Sequence, residues 1–274
     1  MLRTVLTLLS SVVFLHVAAA EQGMRASTVV YDAGRLDSAG NEPVLSSSFS
    51  LFHNGRVYDY VEAAGEVVVF DRAARKFTII NNSEGVFTHV TFDEVNHMLR
   101  ARGPKTEEYV QELKTQKSPE ADRAARTLAF QLNPNFENQF ERKSGMLTLR
   151  APSWKYTVST REWENTDQLK NYIEYTDWTA RLNYVLHPSS MFPEPRLALN
   201  EQLRQLKDRI PVVVQLDLRP DVRLILRAEH QFMRNLDDRD RQLINSWNDA
   251  LKGTELKQVP FRTYQKAVLV SQRR

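Results

Sequence analysis

The chain has 274 residues and a nearly balanced charge, with 37 basic and 34 acidic side chains, a formal net charge of +3 and no cysteine. The absence of cysteine excludes disulfides, thiol nucleophiles, zinc–thiolate sites and a lipidated N-terminal cysteine. A net charge this small lacks the clustered basic excess of a nucleic-acid-binding protein, so no nucleic-acid partner is expected.

The first twenty residues are typical of a secretory signal peptide. Arg3 supplies the positive charge, Val5 to Val17 form a mostly apolar stretch, and Ala18 to Ala20 are the small residues that a signal peptidase requires. A membrane span needs about 20 apolar residues, and polar side chains interrupt this stretch. We therefore predict cleavage after Ala20 and a periplasmic or extracellular mature protein without a transmembrane segment. An uncleaved N-terminal anchor is the alternative.

Asn54-Gly55 lies between two alternating runs and predicts a β-hairpin, because both residues tolerate the positive φ of a type I′ turn. With a two-residue loop, Leu51 falls opposite Tyr58. Phe49 likewise falls opposite Tyr60, so that all four side chains share one face of the sheet.

The following stretch, GEVVVFDRAARKFTIIN, predicts a second hairpin of the same kind. Pairing Phe70 with Phe77 places Val68 beside Ile79 on one face. We expect both hairpins to turn their apolar sides toward a shared interior.

Capping signals and periodicity predict the remaining elements. Thr91 to Glu94 has the spacing of a capping box and begins a helix that is expected to end at Gly103-Pro104. The other predicted helices lie at 106–116, 119–131, 166–187, 196–208 and 237–251, and the other predicted strands at 86–92, 137–142, 145–151 and 154–160.

A third hairpin is predicted in PVVVQLDLRPDVRLILRAEH. Its two apolar sets share a face only if the connecting loop has an odd number of residues. We predict the three-residue loop Arg219-Pro220-Asp221, which also sets Asp217 across from Arg223.

These elements predict one α+β domain over residues 21–252, since no repeat or low-complexity linker divides the chain. Its sheet is expected to be curved and antiparallel, a meander or half-barrel packed against several helices. Residues 253–274 are expected to form a C-terminal tail with a short last strand at 265–270.

Several catalytic signatures are absent from the sequence, including the G-x-S-x-G elbow, the phosphate-binding loop, the dinucleotide-binding glycine fingerprint and H-E-x-x-H. Glu94 and His97 are spaced to share a helical face as metal ligands, but no second cluster accompanies them, so no metal or cofactor is expected. Carboxylate pairs leave no local signature. A non-enzymatic protein is therefore favoured, without an enzyme being excluded.

The stretch TDWTARLNYVLHPSSMFPEPR joins the longest predicted helix to the next. Asp177 and Arg181 are spaced to pair along the first helix. His187, Glu194 and Arg196 flank the proline-bounded loop. The favoured interpretation is a structural corner. The alternatives are a polar cluster with Arg181 and Arg196 as anion-binding candidates, and an extracytoplasmic hydrolase that uses Asp177, His187 and Glu194.

The sequences FHNGRVYDY and GEVVVFDRAARKFTIIN resemble the repeating hairpins of the periplasmic lipoprotein-carrier (LolA-like) proteins. Members of that family build an open antiparallel half-barrel that is lined with apolar side chains and covered by helices. The stretch YTDWTARLNYVLHPSSMFPEPRLALNEQL, together with the hairpins, resembles an uncharacterised family of exported bacterial proteins, and this second resemblance implies no activity.

The hairpin faces and the first resemblance predict an exported, non-enzymatic binding or carrier protein for an apolar or lipid-like ligand. The candidate wall residues are Phe49, Leu51, Tyr58, Tyr60, Val68 and Phe70. Two alternatives remain open. One is the hydrolase, and the other is an envelope scaffold or interaction protein, which would display an exposed apolar patch.

Overall fold

The computed structural model describes residues 23–218 and 224–271. These residues form one open, curled sheet of twelve strands with six helices packed on it, which confirms the predicted α+β fold with a curved antiparallel sheet. The predicted signal peptide (1–20) and the predicted turn (219–221) lie outside the described residues.

The sheet consists of two antiparallel halves, which we call meanders and which join where the first strand pairs with the eleventh. The strands are β1 (Met24–Asp32), β2 (Val44–His53), β3 (Arg56–Val61), β4 (Glu66–Asp71), β5 (Lys76–Asn81), β6 (Val86–Thr91), β7 (Glu137–Glu141), β8 (Met146–Ala151), β9 (Trp154–Glu162), β10 (Arg209–Asp217), β11 (Ile225–Met233) and β12 (Lys257–Gln258). Their spatial order is β12-β6-β5-β4-β3-β2-β1-β11-β10-β9-β8-β7, and only β12 pairs in parallel.

Helices cover both sides of the sheet. They are α1 (Phe92–Thr115), α2 (Pro119–Leu132), α3 (Thr166–Leu186), α4 (Glu194–Leu206), α5 (Asp238–Lys252) and α6 (Phe261–Ser271). The side that packs on α3 forms the main core with residues of both meanders, and we call it the α3 face. The opposite side packs on α5 in a smaller cluster, and we call it the α5 face.

The sheet curls around α3, whose apolar residues surround most of the helix. Leu169, Ile173 and Val185 are at most 2% exposed. Asn165 caps the helix by accepting a hydrogen bond from the Gln168 amide at 3.0 Å. The buried residues of α3 thus lie on more than one side of the helix.

The structure has the first two hairpins in the predicted registers. Leu51 pairs with Tyr58 and Phe49 with Tyr60. Asn54 and Gly55 both have positive φ, at 52° and 70°, as the predicted two-residue turn requires. In the next hairpin Phe70 pairs with Phe77, and Val68 with Ile79.

The third hairpin, β10–β11, has the predicted odd-length connection but a different register. Leu216 pairs with Leu226, so the apolar sets do share a face. The Leu218 amide donates a hydrogen bond to the Leu224 carbonyl at 2.9 Å, so the two strands still pair at these residues. The connection therefore comprises residues 219–223, two more than the predicted loop. Asp217 therefore lies opposite Ile225 and not, as the three-residue loop predicted, opposite position 223. Arg223 itself lies outside the described residues.

The capping box at Thr91 and Glu94 is confirmed, with the Glu94 amide 3.1 Å from the threonine hydroxyl oxygen. The predicted end of this helix at Gly103-Pro104 is wrong, because α1 continues to Thr115 and includes the stretch predicted as a separate helix. Proline costs the helix one hydrogen bond. Buried contacts of Val110 and Leu113 with α2 stabilise the turns beyond it.

The C-terminal stretch is part of the fold. β12 extends the sheet beside β6, and the predicted strand at 265–270 is wrong because α6 occupies it. Pro260 provides the first carbonyl of this helix, which accepts from the Tyr264 amide at 3.1 Å. Tyr264 and Val268 are four residues apart, a helical spacing, and both pack on the main core.

Candidate functional site

The six predicted wall residues divide between the two faces of the sheet. Tyr58 pairs with Val69 and Tyr60 with Val67, so Val68 points to the other side. The expectation that both hairpins face a shared interior is therefore wrong. The four wall residues of the first hairpin face α5, whereas Val68 and Phe70 of the second face α3.

The four wall residues of the first hairpin lie under Trp247 of α5. The indole ring centre is 6.1 Å from that of Tyr60, 6.2 Å from that of Tyr58 and 6.4 Å from that of Phe49. Leu51 is fully buried in the same cluster. These side chains form a packed core on the α5 face.

Phe70 and Val68 lie on the α3 face in different surroundings. Phe70 is buried among aromatic rings and lies 5.4 Å from Phe92 and 6.0 Å from Tyr175, measured between ring centres. Val68 is partly exposed and lines a cleft of about 1090 Å³. Of the six predicted wall residues, Val68 is the one that lines this cleft.

The cleft lies between the α3 face of β2–β6, the C-terminal half of α3, and α6. Its apolar lining comes from all three walls and comprises Val61, Ala64, Val68, Val86, Leu182, Leu186, Val259, Ala267 and Val268. The other lining residues are polar or charged and comprise Ser46, Asp59, Glu66, Asn81, Glu84, Thr179, Asn183, His187, Thr263, Tyr264 and Lys266.

Asp59 is a carboxylate on the floor of the cleft. Ser50, its neighbour on β2, donates a hydrogen bond to Asp59 Oδ1 at 2.7 Å. Burial raises the pKa of Asp59, and hydrogen bonds from the Ser50 and Tyr175 hydroxyls offset part of that change. The protonated, neutral form of Asp59 is therefore more favoured than it would be in water.

Glu66 is a second carboxylate in the cleft, and it connects the floor to α6. The Tyr264 hydroxyl donates a hydrogen bond to Glu66 Oε2. Burial raises the pKa of Glu66, while the Tyr264 hydrogen bond and the nearby His187 ring offset part of the change. The same burial and the glutamate charge raise the pKa of Tyr264.

Sequence reasoning missed Asp59, Glu66 and Tyr264 as cleft residues. A signal was available for Asp59, because it alternates with Tyr58 and Tyr60 and so must face the opposite side. Once β3 pairs with β4, strand alternation places Asp59 beside Val68.

The three candidate hydrolase residues have different surroundings. Asp177 binds α4, accepting from Asn200 Nδ2 at 2.8 Å and pairing with Arg204 at 2.6 Å. His187 ends α3 and lines the cleft. Burial raises the pKa of Glu194 at the start of α4, and nearby Arg181 offsets part of this change.

The two candidate anion-binding arginines have different partners. Arg181 stacks on Trp178, with its guanidinium carbon 5.1 Å from the ring centre. The predicted partner of Arg181, Asp177, forms its ion pair with Arg204 instead. Arg196 reaches the interior between α4 and α3, where it donates to Asn200 Oδ1 at 3.0 Å.

Within residues 23–218 and 224–271, no group of three or more histidine, aspartate or glutamate side chains is placed to hold a metal ion. No helix in this part of the chain combines the length and apolarity of a membrane span. No protein-family model matches the sequence, and a search of curated proteins finds none that is significantly similar.

Proposed function

We propose that the chain is an exported binding or carrier protein for an apolar or lipid-like ligand, which it holds in the cleft between β2–β6, α3 and α6. The observation that carries this proposal is the cleft itself, which encloses about 1090 Å³ on the α3 face. Small-molecule sites are typically about 300–1,000 Å³. The cleft is therefore large enough for a lipid-sized molecule.

The lining supports an apolar ligand. Side chains from the sheet, from α3 and from α6 converge there, including Val68, Leu182 and Val259. Burying apolar surface contributes about 25 cal/mol per Å², so a ligand that fills this lining gains affinity without specific polar contacts. Export rests on the predicted signal peptide.

The proposal is tested by titrating purified protein with N-phenyl-1-naphthylamine, a fluorophore that brightens in apolar sites, and by displacing it with fatty acids. Ala267→Trp should weaken binding by about tenfold, because the indole fills space beside α6. Ala101→Trp is the matched control, since Ala101 is also an exposed helical alanine but lies on α1.

Saturable probe binding that Ala267→Trp weakens and Ala101→Trp leaves unchanged would support the proposal. Absence of saturable binding, or equal effects of the two variants, would overturn it. If the proposal is supported, mass spectrometry of organic extracts from the protein, purified from its own host, would identify the natural ligand.

A further inference from the structure

A row of side chains leads from the cleft across the α3 face to the middle of the sheet. Val61 in the cleft pairs with Ser48, Ser48 with Thr28, and Thr28 with His230. Neighbouring strands are about 4.8 Å apart, so His230 lies about 14 Å from Val61. Ser48, Thr28 and His230 are partly exposed, so this part of the α3 face is incompletely covered.

His230 has one ring nitrogen with a partner and one without. Thr28 Oγ1 lies 2.9 Å from Nδ1. Nε2 is buried and has no hydrogen-bond partner within the described part of the chain. A buried polar atom without a partner is costly. Burial and the nearby Arg196 lower the pKa of His230 to about 3, so the ring is neutral.

Arg196 approaches the same place from α4. It is close enough to Tyr172 to hydrogen-bond its hydroxyl, and Tyr172 is in ring contact with His230, at 6.4 Å between centres. Arg196 forms no ion pair with a carboxylate of residues 23–218 or 224–271. A partly buried guanidinium normally has an acidic partner.

Asp59, a carboxylate on this face, already has protein partners. The charge of Asp59 contributes to the raised pKa of Tyr172, after the larger effect of burial. Oδ1 of Asp59 accepts a hydrogen bond from Ser50. Tyr175 also hydrogen-bonds the same carboxylate. The donors of Arg196 and His230 thus lie together at the far end of the row, beyond Asp59.

We propose that Arg196, Tyr172 and His230 bind the anionic oxygens of the ligand, a carboxylate or phosphate, while its apolar part extends along the row into the cleft. This inference rests on the proposed function and adds the ligand class, an anionic amphiphile. His230 Nε2 becomes a donor when Thr28 donates to Nδ1. A charged acceptor would then satisfy both His230 and Arg196.

The test compares oleate with methyl oleate, which has the same chain without the charge, and with inorganic phosphate, which has the charge without the chain. Binding is measured by calorimetry on the full mature protein. We expect oleate to bind at least about tenfold more tightly than methyl oleate, since a charge-assisted hydrogen bond is strong. Arg196→Gln should abolish this preference.

Arg181→Gln is the matched control, because Arg181 is a partly buried arginine of the neighbouring helix that stacks on Trp178. It should retain the preference for oleate. Arg196→Lys should restore part of it by retaining the charge. Circular dichroism verifies the fold of each variant, and the comparison of ligands on the wild-type protein does not depend on any variant.

Equal binding of oleate and methyl oleate to the wild type would overturn the anion site and leave the carrier proposal standing. The same holds if Arg196→Gln folds and keeps the preference. Failure of both lipids to bind would overturn the proposed function. Binding of phosphate alone would show a site for a free anion and would overturn the amphiphile.

Discussion

The five strands β2–β6 are covered by helices on both faces, and the two covers differ in how completely they fill the space. On the α5 face, Trp247 contacts three aromatic rings of the first hairpin. On the α3 face, a cleft of about 1090 Å³ remains between the strands, α3 and α6. One sheet can therefore supply a packed core and a ligand-sized space at once, because alternate residues serve opposite sides.

The two helical covers are also attached differently. Asp240 of α5 is fully buried and pairs with Arg25 at 2.5 Å. Among the described side chains of α6, one is buried, that of Tyr264. The Tyr264 hydroxyl donates a hydrogen bond to Glu66, a carboxylate of the cleft. We infer that α5 stabilises the fold, whereas α6 contributes mainly to the cleft.

The largest expected effect follows from truncating the centre of the α5 face. Trp247→Ala should lower the free energy of unfolding by about 3–5 kcal/mol, because it leaves a cavity over three aromatic rings. Urea denaturation measures this loss. Tyr109→Ala, an exposed aromatic on α1, is the control and should cost about 0.5 kcal/mol or less. A loss near the control value for Trp247→Ala would contradict a packed α5 face.

A pH effect should distinguish a histidine of the α3 face from a histidine of the α5 face. His230 of the α3 face has a pKa of about 3 in the folded protein, whereas the unfolded chain takes up the proton near pH 6.5. The free energy of unfolding therefore decreases as the pH falls below about 6.5, and it is lower by about 2 kcal/mol at pH 5 than at pH 7. Urea unfolding of the wild type and of His230→Gln at pH 7 and pH 5 should show this difference.

His89 provides the control on the α5 face. Burial, together with Lys76, also lowers the pKa of His89, but its ring is less covered. His89→Gln should therefore change the pH dependence less than His230→Gln does. If the two variants changed the pH dependence of stability equally, the environment of His230 would not lower its pKa more than the environment of His89 does.

A smaller effect is expected where α6 attaches to the cleft. Tyr264→Phe removes the hydroxyl that donates to Glu66 and should cost about 1–2 kcal/mol. Hydrogen exchange should become faster in α6 and stay unchanged in α5. Unchanged protection of α6 would show that apolar contacts, and not this bond, hold the helix.

The smallest expected effect is the pH dependence contributed by Glu66. Its pKa is raised in the folded protein, so the folded state retains the proton to higher pH than the unfolded chain. Stability is therefore lost as the pH rises through the raised pKa. Glu66→Gln should remove this loss, and denaturant unfolding between pH 4 and 7 measures it. Glu84→Gln, an exposed carboxylate beside the same cleft, is the control.

Local turn chemistry was sufficient to predict the registers of the first two hairpins but not which face of the sheet each one's apolar side chains occupy. Asn54-Gly55 and the alternating Leu51 and Tyr58 specify a register on their own. β4 is apolar on both faces, so its sequence does not indicate which side faces which core. The connection between β3 and β4 has an even number of residues, and Val61 pairs with Glu66. Val68 therefore faces the side of the sheet opposite to that of Tyr58 and Tyr60.

The cleft could not be predicted because it depends on elements whose sequences are ambiguous. The β-branched residues of α6 were interpreted as a strand, although Tyr264 and Val268 are also spaced for a helix. β1 was not predicted at all. It carries the polar Thr28 toward the α3 face, which weakens the alternation expected of a strand at the centre of a sheet.

The open edges of the sheet have a consequence for the protein at high concentration. An unpaired strand edge is a template on which copies of a chain can polymerise into fibrils. At one end, β7 is only five residues long and begins and ends with glutamate, which repels an approaching copy. At the other end, the two residues of β12 pair with Val86 and Phe87 and so block the first part of β6. Both termini of the strand order thus protect the molecule from fibre growth.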